Sequence, residues 1–329
     1  MSGTPGAPGK YHDLPNTKVG AQEAERRAIA TVMNPEAHKK PEPKLSPEEG
    51  MTLKDFSERH YLKKSRLRNK PATISAKESI LRYHLYPRIG SMPLPMIDEG
   101  VIEDLVLELA MEENGKRKLS DKSINNVLAV VSHMLRYAKK RKLITYVPDI
   151  EWLRPQKPEF DFLDFKEAER LLEGAKKVSD WHCVIALAIK TGMRLGELSA
   201  LQWSDVDLVA GKLYIRRNMW RNHEGSPKSG RNREIPLSKA TVQLLKEHRH
   251  LRGKRVFLDE SGANYSLGAW RHGLYRASRR AGLRELGWHT LRHTFASHLV
   301  MRGVPLKAVQ ELLGHSTIEM TMRYAHLCP

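Results

Sequence analysis

From Thr52 onward the apolar residues of this chain recur at helical spacing, and that period gives way to alternation near residues 212–237. Such a pattern implies a mainly α fold with a small antiparallel β-sheet, an α+β arrangement poor in strand. In the first half, helices are expected at about 52–66, 73–86, 98–112 and 120–141. In the last of these, Ile124, Val127, Leu128, Val131, Leu135 and Ala138 share one face, with Ser120 placed to open the helix. In the second half, 164–176 reads as an amphipathic helix and 181–190 as a strongly apolar one, ended by Thr191-Gly192. Residues 212–216 and 233–237 alternate like strands and flank a loop around Gly225-Ser226-Pro227-Lys228-Ser229-Gly230. Helices return at about 239–251, 266–280, 290–302, 305–313 and 317–326.

Four regions follow from this pattern. Residues 1–50 carry seven prolines, few large apolar side chains and the run His38-Lys39-Lys40-Pro41-Glu42-Pro43-Lys44, and read as a flexible basic arm. Residues 51–147 form a helical domain, 148–158 a Pro-containing linker and 159–329 a second domain.

Composition narrows the partner. Lys and Arg number 56 against 38 Asp and Glu, a formal net charge of +18, which makes a polyanion the first ligand to consider. The longest wholly apolar run, 183–189, is far short of the roughly 20 residues that span a bilayer. No apolar stretch opens the chain as a secretory signal would. Two cysteines, Cys183 and Cys328, suit a reducing compartment, so a cytoplasmic protein that binds nucleic acid rather than membrane is expected.

Four islands carry reactive side chains: Thr191-Gly192-Met193-Arg194-Leu195-Gly196-Glu197, Lys228 in its loop, His289-Thr290-Leu291-Arg292-His293, and Leu313-Gly314-His315 with Tyr324 nine residues further on. Singly, each has an ordinary reading as a capping arginine, a solvated lysine, a polar helix face or a core tyrosine. Jointly they suit attack on a phosphodiester. Arginine offers planar paired donors to non-bridging oxygens. Tyrosine can attack phosphorus and form a covalent ester. Lysine can protonate the departing sugar oxygen, and histidine can pass protons or donate to the phosphate. No Asp/Glu cluster suits two metal ions and no Gly-x-x-x-x-Gly-Lys-Ser/Thr occurs, so neither a metal nor a nucleotide cofactor is expected. His289 and His293 lack the Glu of a His-Glu-x-x-His zinc site, and His293 reads as a supporting or structural residue.

The order Arg, Lys, His-x-x-Arg, Leu-Gly-His, Tyr resembles that of the tyrosine recombinases of the phage-integrase family, most closely over about 160–326. Residues 50–150 resemble that family's helical core-binding domain more loosely. The resemblance implies that Arg194, Lys228, His289, Arg292 and His315 are catalytic, that Tyr324 is the nucleophile and that Glu197 supports Arg194. It implies cleavage to a 3′-phosphotyrosyl link and a free 5′-hydroxyl, reversal by a partner strand, and a homotetramer on two double-stranded DNA sites. A directionality or DNA-bending factor is a possible further partner. Arg216, Arg217, Arg221, Arg231 and Arg233 lie in the basic stretch 216–233 and are candidates for binding DNA. Integration of a phage or other mobile element is the expected setting. The rivals are a type IB topoisomerase-like enzyme and an inactive DNA-binding protein on the same fold. Ser316 is expected to N-cap the last helix in a capping box with Glu319, placing Tyr324 two turns into an adjustable helix. Five residues follow Tyr324, so the family's C-terminal contact between protomers is expected to be shortened, absent or cut away. Residues 1–50 lack a three-stranded pattern, so no arm-site DNA-binding domain is expected there.

Overall fold

A computed structural model describes residues 50–113, 116–156, 160–178, 181–221, 223–226 and 232–329, with Ala21, Gln22 and Arg26 before them. The expected basic arm thus lies almost wholly outside the described residues. The chain divides into two compact units, Met1–Gln156 and Lys157–Pro329.

The first unit is helical. Leu53–Phe56, Ser57–Tyr61 and Leu62–Arg68 run on as one helix, α1, whose middle is a π-turn. The Thr52 hydroxyl accepts from Asp55 N at 3.1 Å and caps it. α2 joins Pro71–Ile80, a second π-turn at Leu81–Leu85, and Tyr86–Ile89. Pro71 sits in its first turn, where a missing N–H costs nothing. α3 is Glu99–Ala110 and α4 is Asp121–Lys140, capped by Asp98 and Ser120. Between them β1 (Glu112–Glu113) pairs antiparallel with β2 (Lys116–Arg117). Phe56, Leu81, Leu85, Leu105, Leu109, Ile124, Val131 and Leu135 form the core, each worth about 1.5–3 kcal/mol of burial. Residues 148–153, expected as linker, pack on this unit. Ile150 is buried, and the Asn125 amide bonds Leu153 O at 2.9 Å while its oxygen accepts from Leu153 N at 3.1 Å.

The second unit is built around α6, Trp181–Thr191, which is buried on nearly every side. A helix apolar all round needs cover all round. α5 (Phe165–Lys176), α8 (Lys239–Glu247), α9 (Leu267–Arg280) and α10 (Trp288–Met301) supply it. α5 begins with a complete capping box between Asp164 and Glu167. α7, Leu195–Ala200, follows α6. β3 (Val206–Asp207), β4 (Lys212–Ile215) and β7 (Arg233–Pro236) form an antiparallel sheet in the order β3-β4-β7. Leu213 opposes Ile235 on its buried face. A second antiparallel pair, β5 (Asn218–Trp220) with β6 (His223–Gly225), stands in the stretch the sequence presents as loop. α11 is Leu306–Leu313 and α12 is Glu319–Met322. Among the described residues no helix is long and apolar enough to cross a membrane.

The chain's end corrects one expectation. α12 has four residues, its N-cap is Ile318, and no side chain caps it. The Ser316 hydroxyl faces Met320 Sδ at 3.7 Å instead. Tyr324 lies past α12, at the head of the 3₁₀ turn Ala325–Leu327, and is 1% exposed. It is a core side chain of this unit that follows α12, not a residue two turns into a capped helix.

Candidate active site

Two glycines let backbone and arginine meet. Gly192, at φ 60°, turns the chain after α6, and a Cβ there would stand 2.3 Å from the Phe295 ring. Gly314, at φ 64°, ends α11 in the left-handed conformation, and a Cβ there would press on Arg233 at 3.0 Å. The turns they make expose the carbonyls that fix Arg292. From α10, Arg292 Nη1 donates to Gly192 O at 2.7 Å and Nη2 to Leu313 O at 2.6 Å. The residue is 2% exposed, and burial together with Arg194 pulls its pKa down to about 9, which leaves it charged at neutral pH.

Arg194 precedes α7. Its backbone N–H donates to Glu197 Oε2 at 2.9 Å, and its Nη1 donates to Oε1 at 3.0 Å. Glu197 is also gripped by Arg233, whose Nη1 and Nη2 donate to the two carboxylate oxygens at 3.0 and 2.7 Å, while Nε donates to Leu312 O at 2.8 Å. Burial alone would raise the Glu197 pKa, but Arg233 and Arg194 outweigh it and hold the carboxyl below its ordinary range. Arg233 therefore ties β7 to α7 and α11. It was expected to face DNA, and it instead turns inward because the buried carboxylate needs its charge.

Removing that carboxylate leaves Arg233 buried and unpaired. Glu197→Ala is expected to lose about 3–5 kcal/mol of stability, read as a shifted urea midpoint, whereas Glu197→Gln keeps the shape and should lose less. The carboxyl's contribution is full above its unfolded pKa near 4.5 and fades as pH falls through the lower folded value. The deficit of Glu197→Ala against the natural chain should accordingly shrink on acidification below that range.

His315 follows Gly314. Its Nδ1 lies 2.9 Å from the Thr321 hydroxyl, leaving Nε2 as the nitrogen available to a ligand. Burial, then Arg292 and Arg194, push its pKa down to about 3, so the ring is neutral at pH 7. Tyr324 presents its hydroxyl 2.7 Å from His293 Nδ1, and burial raises its pKa. The Phe160 ring stands edge-on to both, at 5.2 Å from each. His289 stands perpendicular to His293 at 4.7 Å. Arg194, His289, Arg292, His315 and Tyr324 thus line one cavity of about 420 Å³, with Arg323 beside them.

The remaining candidates divide. Lys228 and Arg231 lie outside the described residues. Arg217 is bound to buried Asp205 at 2.6 Å and to Glu224 at 3.4 Å. Arg216 is exposed, over the Tyr214 ring and 3.7 Å from Asp205. Arg221 is exposed and stacks on Trp220. From the sequence His293 reads as a supporting or structural residue, and Phe160 carries no signal there; in the fold both meet Tyr324. The i, i+4 spacing of His289 and His293 places both on one face of α10, and this was the signal available.

Residues 161–329 match the profile of the phage integrase family, and residues 52–110 match that of the phage integrase N-terminal SAM-like domain. A XerC-like tyrosine recombinase of Caldanaerobacter subterraneus is 27% identical over 85% of this chain and 80% of its own length. XerC of Xanthomonas axonopodis is 31% identical over 64% of this chain and 70% of its own. The integrase of Salmonella phage P22 is 30% identical over 61% of this chain and 53% of its own. Among solved structures, the integrase of transposon Tn1549 in complex with transposon right end DNA superposes with a TM-score of 0.72 at 23% identity, over 83% of this chain and 94% of that one. A lambda integrase dimer bound to a core site gives 0.67 at 22% identity, over 94% and 87%.

Proposed function

The chain belongs to the phage integrase family, and on that premise we propose that it is a site-specific DNA recombinase of the tyrosine class, cutting and rejoining DNA through Tyr324. The observation that carries this reading is the convergence of Arg194, His289, Arg292, His315 and Tyr324, spread over 131 positions of sequence, on one cavity. Tyr324 Oη attacks the scissile phosphorus, forming a 3′-phosphotyrosyl link and releasing a 5′-hydroxyl. Arg194 and Arg292 stabilise the charge that builds on the non-bridging oxygens. Two of the five Arg292 donors are fixed by backbone carbonyls, which sets the plane of the guanidinium before DNA arrives. Neutral His315 donates from Nε2, and His289 binds the same phosphate. Lys228 protonates the departing 5′-oxygen. The link conserves the bond's energy, so a partner 5′-hydroxyl reverses the reaction without a nucleotide cofactor.

Double-stranded DNA is the partner, met at two sites by a homotetramer in the cytoplasm. Arg216 and Arg221, both exposed, fit phosphate contacts. The P22 integrase relative supports a mobile element as the setting, with a directionality or DNA-bending factor as a further partner. Supercoiled DNA carrying two matching sites is expected to yield recombinant joints. Relaxation without joints would transfer the protein to topoisomerase-like chemistry, and binding without cleavage would make it an inactive DNA-binding protein.

A further inference from the structure

His293 occupies the position next to Arg292 and has no part in the chemistry set out above, yet it is the side chain that meets the reacting oxygen. Its Nδ1 lies 2.7 Å from Tyr324 Oη, a full hydrogen bond between residues 31 positions apart. Its ring is fixed from two sides, by the edge of Phe160 at 5.2 Å and by His289 at 4.7 Å. With the proton on Nε2, Nδ1 offers a lone pair to the phenolic hydroxyl.

We propose that His293 is a further catalytic residue, the acceptor that takes the phenolic proton of Tyr324 as Oη attacks phosphorus. The proposal rests on Tyr324 being the nucleophile. The Oη–P bond forms and the P–O5′ bond breaks. The phenolic proton passes to His293 Nδ1, and the departing 5′-oxygen takes a separate proton from the acid assigned to Lys228. Rejoining reverses both transfers.

The surroundings of the ring favour such an exchange once DNA is seated. Burial raises the Tyr324 pKa, so the phenol needs an acceptor to become a nucleophile at neutral pH. Burial, then His289, Arg323 and Arg292, push His293 down to about 4, while Asp161 opposes them, so the ring is neutral and its lone pair is free at pH 7. A phosphodiester seated among Arg292, Arg323 and His289 brings negative charge that offsets these cations. The affinity of His293 for a proton then rises as the substrate binds, and the proton moves only with the phosphate in place.

Single-turnover cleavage of a nicked suicide duplex tests this. His293→Phe keeps the ring's bulk and is expected to slow covalent capture by at least about 10²-fold, the lower range for a lost general base. His293→Asn places an amide oxygen near the Nδ1 position but cannot take the proton, and it should be comparably slow. Trifluorotyrosine at position 324, a more acidic phenol, should recover much of the loss in either variant. Melting temperature and DNA affinity report whether each variant folds, and the asparagine variant carries the test alone if the phenylalanine variant does not. Wild-type rates in His293→Phe, full rescue by asparagine, or no gain from the fluorinated phenol would overturn proton transfer to His293. A covalent adduct that persists in Tyr324→Phe would instead overturn the reading of Tyr324 beneath it, so the two failures are distinguishable.

Discussion

Tyr324→Phe is expected to abolish covalent capture of DNA while leaving the protein folded and able to bind. The ring is 1% exposed and packs against the edge of Phe160, and that burial and packing survive loss of one oxygen. The substitution deletes the hydrogen bond to His293, a net cost of about 0.5–1.5 kcal/mol, while the apolar packing of the ring among Phe295, Val300, Val309 and Leu313 is kept. A thermal melt should move by a few degrees, and DNA affinity should hold because the phosphate contacts remain. Nicked suicide duplexes separate capture from rejoining, so the loss should read as no adduct at any time rather than as a slower one.

The second large effect concerns the two arginines, and the structure separates them. Arg292→Ala removes a transition-state donor, which costs about 10²–10³ in cleavage rate. It also strips the partners from Gly192 O and Leu313 O, each costing about 1–3 kcal/mol where the carbonyl stays buried. That variant should therefore be both slow and unstable. Arg292→Lys keeps a charge but not the planar fork that bridges the two carbonyls, and should remain slow. Arg194 is partly exposed, and Glu197 keeps Arg233 when Arg194 is gone. Arg194→Ala should lose at least about 10² in cleavage with a much smaller change in the urea midpoint. Equal losses of DNA binding and of cleavage in Arg194→Ala would mean that the residue only positions DNA.

Much of the second unit was legible because its signals are local. The apolar run within α6, the amphipathic period of α5 and the Thr191-Gly192 pair that ends α6 each announce an element within a few residues. The side-chain chemistry of Arg194, His289, Arg292, His315 and Tyr324, in an order that resembles the phage-integrase signature, marks them as candidates, and the fold brings these five to one cavity. What was not legible depends on partners distant in sequence. Arg233 reads as one more cation in a basic stretch until Glu197, 36 positions earlier, is seen buried beneath it. His293 looks like a helix-face histidine until the chain returns with Tyr324. The β5–β6 hairpin leaves no sequence signal because its strands are three residues each and hold no alternation to read, and it turns through Arg221 at φ 51°. Ser316 and Glu319 have capping-box spacing, which makes the last helix look longer than it is. In the fold Ile318 occupies the cap, and burial of Tyr324 beyond α12 governs the end of the chain.

In the proposed reaction Tyr324 itself becomes joined to DNA. The direct measurement is to trap the protein on a nicked suicide duplex in EDTA, digest the adduct with protease and nuclease, and locate the modified residue by mass spectrometry. The expected product is a nucleotide 3′-phosphate on Tyr324 and on no other residue, with a free 5′-hydroxyl on the released strand. A link at another side chain, a 5′-phosphate adduct, or an adduct that forms only when Mg²⁺ is supplied would contradict it.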